Sequence, residues 1–93
     1  MREREIEKAF SIKAKKAGGL AIKFISPAFD GMPDRLVLMP AGKMAFVEFK
    51  APGKKPRALQ LVRHRTLSSL GFRVFVLDDV EKIDEVLYAI QTT

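Results

Sequence analysis

The chain has 93 residues, 47% of them hydrophobic and 30% charged, with a formal net charge of +6, which is the balance of an ordinary globular protein rather than a disordered or collagen-like one. That length supports one hydrophobic core, so residues 1–93 are read as a single domain. With no cysteine, disulfide staples and thiolate metal sites are excluded, and a charged start (Met1-Arg2-Glu3-Arg4-Glu5) with no apolar run of spanning length predicts a cytoplasmic protein without a membrane partner.

Arg2 to Ala17 holds neither Gly nor Pro and sets Ile6, Phe10, Ala14 and Ala17 at helical spacing, predicting an amphipathic helix that Gly18 and Gly19 end. Leu20 to Ile25 is a short apolar run read as a strand, followed by a loop through Ser26-Pro27 to Gly31-Met32-Pro33. Asp34 to Met39 and Lys43 to Lys50 read as two strands of a hairpin joined at Pro40-Ala41-Gly42. Beyond a Pro/Gly/Lys loop over Ala51 to Lys55, Pro56 suits the first position of a helix that runs to Leu70 and stops at Gly71. Its apolar stripe is read as Leu59, Val62, Thr66, Leu67 and Leu70. Phe72 to Leu77 is almost unbroken apolar sequence, the pattern of a strand covered on both faces. Asp78 and Asp79 are candidate N-caps of a last helix carrying Val80, Ile83, Leu87 and Ile90. The order α-β-β-β-α-β-α predicts an α/β sandwich, a mixed sheet between helices.

Charge is spread unevenly. Residues 78–93 hold five acids against one base, which leaves 16 bases against 6 acids on residues 1–77 and favours a polyanionic partner such as nucleic acid. Within that field the third strand carries two charges, Glu48 and Lys50, in a run that otherwise reads as buried, where charges are costly unless paired or bound to a cation. Being two apart, they leave the strand on one face, with Phe49 on the other. A three-residue turn at Pro40 to Gly42 would pair Met39 with Lys43 and set Asp34 opposite Glu48, whereas a four-residue loop without a bulge would point Asp34 away. Facing carboxylates at an open edge make a hard-oxygen site suited to Mg²⁺ or Mn²⁺.

The first helix offers a third acid. Glu3 falls within about 60° of Ile6, Phe10, Ala14 and Ala17 on a helical wheel, on the core-facing stripe, with Glu7 as the alternative and fraying of the first turn as the structural reading. On the second helix Gln60 flanks the apolar stripe and could reach the sheet edge where Lys50 ends, or be an ordinary exposed helical residue. His64, the single histidine, is left out of the metal site, because a lone helical histidine is more often structural. Lys54, Lys55 and Arg57 are the candidate phosphate contacts, followed by Arg35, Arg63 and Arg65; a solvated charge run is the competing account.

Gly31-Met32-Pro33-Asp34, then Glu48-Phe49-Lys50, then Gln60 on the following helix resemble the PD-(D/E)xK nuclease superfamily, and within it the virus-type replication-repair nuclease (VRR-NUC) family, which includes phage proteins of this size. The likeness runs over nearly the whole chain, from the Glu-bearing first helix to the Gly71-Phe72-Arg73-Val74 strand start. It implies an αβββαβα restriction-endonuclease-like fold and a metal held by Asp34, Glu48 and the Phe49 backbone carbonyl, with Glu3 acting through water. It further implies that Lys50 orients or helps deprotonate the attacking water, that Gln60 positions that water or the lysine, and that hydrolysis is in-line and metal-assisted, leaving 5′-phosphate ends. A homodimer acting on branched DNA such as Holliday junctions or flaps, in a phage or prophage setting and with no organic cofactor, is the expectation for small members. An acidic last helix docking on a basic patch is one candidate for the pairing surface. The rival readings are a basic module that binds nucleic acid without cutting it, and an assembly subunit of a replication complex; neither needs an aspartate after Gly-x-Pro.

Overall fold

The computed structural model describes residues 1–92. Its elements run α1 (Glu3–Lys16), β1 (Leu20–Lys23), β2 (Arg35–Met39), β3 (Lys43–Phe49), α2 (Ala58–Ser69), β4 (Val74–Leu77) and α3 (Ile83–Gln91), in the predicted order. The strands lie side by side as β1-β2-β3-β4, the first three antiparallel and β4 parallel to β3 across the α2 crossover, a mixed sheet flanked by helices as the sequence predicts. Among the described residues no helix is long and apolar enough to cross a membrane.

Both long helix stops are written in glycine. Gly18 and Gly71 sit at φ +91° and +94°, and in each case two backbone N–H groups fold back on the last turn, Gly19 to Ala14 with Gly18 to Lys15, and Phe72 to Leu67 with Gly71 to Ser68. These are Schellman closures, which a Cβ would oppose. At the other end α2 begins later than its proline suggested: Pro56 lies ahead of the N-cap Arg57, whose N–H is bonded by the Gln60 side chain. Asp79 does cap, but it accepts from Glu81 N of a short 3₁₀ turn (Val80–Lys82) that precedes α3.

The two sheet faces differ. Val37, Met39, Ala45, Val47, Phe49 and Leu77 point to one side and form the core with Ile6, Phe10 and Ala14 of α1 and Ile83, Val86, Leu87 and Ile90 of α3. Phe10 and Phe49 meet edge to face at 5.5 Å, an arrangement worth about 0.5–1.5 kcal/mol beyond the area it buries. That contact ties the C-terminal end of β3 to α1. The opposite face is only partly covered by α2, and Val76, expected to be enclosed, is 41% exposed. The stripe read on α2 is also rotated: Leu59, Val62 and Leu70 are exposed, and the buried residues are Gln60 and Leu67. A helix lying over a sheet end that carries charge turns its polar residues inward there.

Candidate active site

The hairpin register decides whether two acids meet. The turn occupies Pro40–Gly42, with Ala41 at φ 66°, and Met39 pairs with Lys43, Val37 with Ala45 and Arg35 with Val47. Asp34 directly precedes the Arg35–Val47 pair, and the same register continued by one step would bring it across from Glu48, on the face away from the core. Pro33 has no N–H to continue the ladder, and beside it the Asp34 carboxylate stands in for a backbone carbonyl, its Oδ2 accepting from Phe49 N at 2.8 Å. An extended residue directs its N–H and C=O to the same side, so the Phe49 carbonyl also turns toward the β2 edge.

Glu48 is fully buried. Its Oε1 lies 3.1 Å from His64 Nε2, and its Oε2, 3.3 Å from Lys50 Nζ, has charge contact but no hydrogen-bond donor in bonding geometry. A buried carboxylate oxygen lacking a donor is costly and is what a cation would relieve. Lys50 is itself largely enclosed, its side chain 15% exposed.

Glu3 and Glu7 both act electrostatically on this group, but Glu7 has a cation partner of its own. The Glu3 carboxyl is raised above its ordinary value by loss of solvent, then by the negative charge of Asp34, with Lys50 opposing and Glu7 and Glu48 adding, so these groups share one electrostatic neighbourhood. Asp34 is raised likewise, first by burial, against the stabilising Phe49 N–H, with Glu48 as the leading charge. Glu7 is instead paired with Arg35, Nε to Oε2 at 2.6 Å, and Arg35 also bonds the Ala21 carbonyl. Arg35 thus lies on the core side of the sheet with its guanidinium engaged, away from Asp34. Among the described residues no three His, Cys, Asp or Glu side chains close in on one ion position, so a metal here would lean on two carboxylates, a carbonyl and water.

Gln60 is buried over the site side, its carboxamide oxygen accepting from Arg57 N at 2.8 Å. That leaves its NH₂ end to act, as a donor. Arg63 stacks 3.7 Å over the Phe29 ring and donates to the Asp30 carbonyl, which makes it a brace for the loop before Asp34. Gly31 in that loop (φ +87°) packs on α2 so closely that a Cβ would come within 2.8 Å of Leu59 Cγ. This is the physical reason for glycine ahead of Pro33-Asp34. Lys54, Lys55, Arg57 and Arg65 are exposed. Two features escaped the sequence reading. His64 touches Glu48, for which the signal was its spacing four residues after Gln60 on one helix face. Arg4, Lys8, Lys15 and Lys23 line a groove of about 360 Å³ between α1 and β1, with no carboxylate partner among the described residues; the i, i+4, i+11 spacing of the first three was the available signal.

No family model matches the sequence. A curated phage protein, "Putative nuclease p44" of Acyrthosiphon pisum secondary endosymbiont phage 1, is 48% identical over 90 residues, covering 97% of this chain and 96% of its own. A solved structure described as a VRR_NUC domain superposes with a TM-score of 0.86 at 31% identity, covering 92% of this chain and 94% of that one. Fold and length agree with these relatives: the chain belongs to the virus-type replication-repair nuclease family.

Proposed function

We propose that this protein is a divalent-metal-dependent endonuclease that hydrolyses phosphodiester bonds in DNA, with selectivity for branched substrates. The observation that carries the reading is a buried oxygen of Glu48 left without a donor beside Lys50, on a strand whose Phe49 N–H is bonded by the Asp34 carboxylate. The residues fit a hard cation such as Mg²⁺ or Mn²⁺: Asp34, Glu48 and the Phe49 carbonyl would hold it, and Glu3 would reach it through water. The ion would supply Lewis-acid polarisation of the scissile phosphate and acidify the attacking water. Lys50 would orient that water and offset the negative charge developing on the oxygens of the scissile phosphate, and the Gln60 NH₂ group would donate to an anionic oxygen. Lys54, Lys55 and Arg57, joined by the open cations of the α1/β1 groove, contact the DNA backbone without reading sequence.

A homodimer suits branched DNA, because a two-fold axis presents two sites to symmetric strands. Asp84 of the acidic last helix already pairs with Lys13 of α1 in the same chain, at 2.9 Å. Leu20, Ile22 and Leu38, by contrast, are exposed apolar residues on the sheet face that carries Asp34 and Glu48. A second copy could bury that patch. The second reading is a basic domain that binds nucleic acid without cutting it.

Incubation of the purified protein with branched and linear DNA, with Mg²⁺ or Mn²⁺ and with EDTA controls, separates the two. Cleavage is expected only with the divalent ion, reduced at least about 10²-fold by Asp34→Ala or Lys50→Ala with DNA affinity kept. Undiminished cutting by both variants, or cutting in EDTA, would falsify the assignment.

A further inference from the structure

We propose that His64 is a positioning residue for the metal site, fixing the Glu48 carboxylate so that Oε2 faces the ion; this rests on the metal-dependent reading above. Glu48 is fully buried, and one of its oxygens is 3.1 Å from His64 Nε2. A carboxylate only accepts, so Nε2 carries the hydrogen and donates it. The terminal torsion of a glutamate is broad, and a carboxylate held by one oxygen keeps its plane while the other oxygen is left for a second partner. That other oxygen, Oε2, is the buried atom with no donor.

The histidine is well placed to impose this. Its side chain is 12% exposed, on the face of α2 that also buries Gln60 one turn earlier and Leu67 one turn later. The Gln60 oxygen is bonded into the helix start and Leu67 accepts from Phe72 N at the helix end, so α2 is fixed on both sides of His64. Partners that orient a metal-binding carboxylate in this way are typically worth 10- to 100-fold in metal affinity. A histidine that merely satisfied a buried acid would leave metal affinity unmoved once its volume was replaced.

The test is Mn²⁺ binding by titration calorimetry, without DNA, for the wild type, His64→Gln and His64→Phe. Glutamine can restore a donor toward Glu48, whereas phenylalanine fills the space without one. Expected is a 10- to 100-fold weaker Kd for His64→Phe, with His64→Gln within several-fold of wild type. In cleavage assays kcat at fixed Mn²⁺ should fall for His64→Phe while KM for DNA is kept. Equal Mn²⁺ affinity in all three proteins overturns the positioning role, and so does a loss as large in His64→Gln as in His64→Phe. Absence of Mn²⁺ binding by the wild type would instead defeat the metal reading, so the two failures are distinguishable.

Discussion

At Asp34 and Glu3 the ionised carboxylate is disfavoured by its surroundings, and either a proton or a cation would relieve it. Burial first, and neighbouring carboxylates next, raise both above the ordinary value near 4. A carboxyl whose folded value exceeds its unfolded one binds protons more readily when folded, so the stability this confers is present in acid and is lost as pH climbs through the raised value. Asp34→Asn removes the charge and keeps an oxygen for Phe49 N. Without metal at pH 7 it is expected to be more stable than the wild type by about 0.5–1 kcal/mol, or roughly 3–6 °C in Tm. Calorimetry should show that gap narrowing as pH falls through the raised Asp34 value, and Mg²⁺ should raise Tm in the wild type only. A variant less stable at neutral pH would mean that the Phe49 bond outweighs the repulsion.

At the level of elements, the site is assembled by pieces that hold one another. The hairpin turn sets which acids face, the Phe10–Phe49 contact fixes the end of β3, and α2 braces the loop before Asp34 through Arg63 and the close approach at Gly31. Gly31→Ala puts a methyl into Leu59 and strains a positive φ, so the loop must back away and carry Asp34 with it. A displacement near 1 Å at a reacting centre costs about 10²-fold. Expected is a cleavage rate down by about 10- to 100-fold with circular dichroism unchanged; full activity would show that the loop position does not matter.

Across the whole molecule, core and function use opposite sides of one sheet. The covered side holds α1 and α3, while the side bearing Asp34 and Glu48 exposes Leu20, Ile22, Leu38 and Val76. If a second copy covers that patch, Leu38→Glu, at a position already 38% exposed, leaves the fold intact and shifts sedimentation from dimer to monomer at micromolar concentration. A monomeric wild type, or a variant that still pairs, would send the search for the interface elsewhere.

Local patterns by themselves determined most of this protein: the element order, the two glycine stops, the hairpin, and the motif Gly31 to Asp34 with Glu48 and Lys50. Each depends on short-range rules of period, turn length and backbone freedom that act within a few residues. What tertiary structure alone decided concerns contacts between distant segments. The face that α2 buries was set by what lay beneath it, so Gln60 and His64 turned inward and the apolar Leu59 and Val62 outward. Glu7 and Arg35 are 28 residues apart and pair with one another across the sheet edge. Such pairings follow from packing geometry across the sheet, which no periodicity within a single helix or strand encodes.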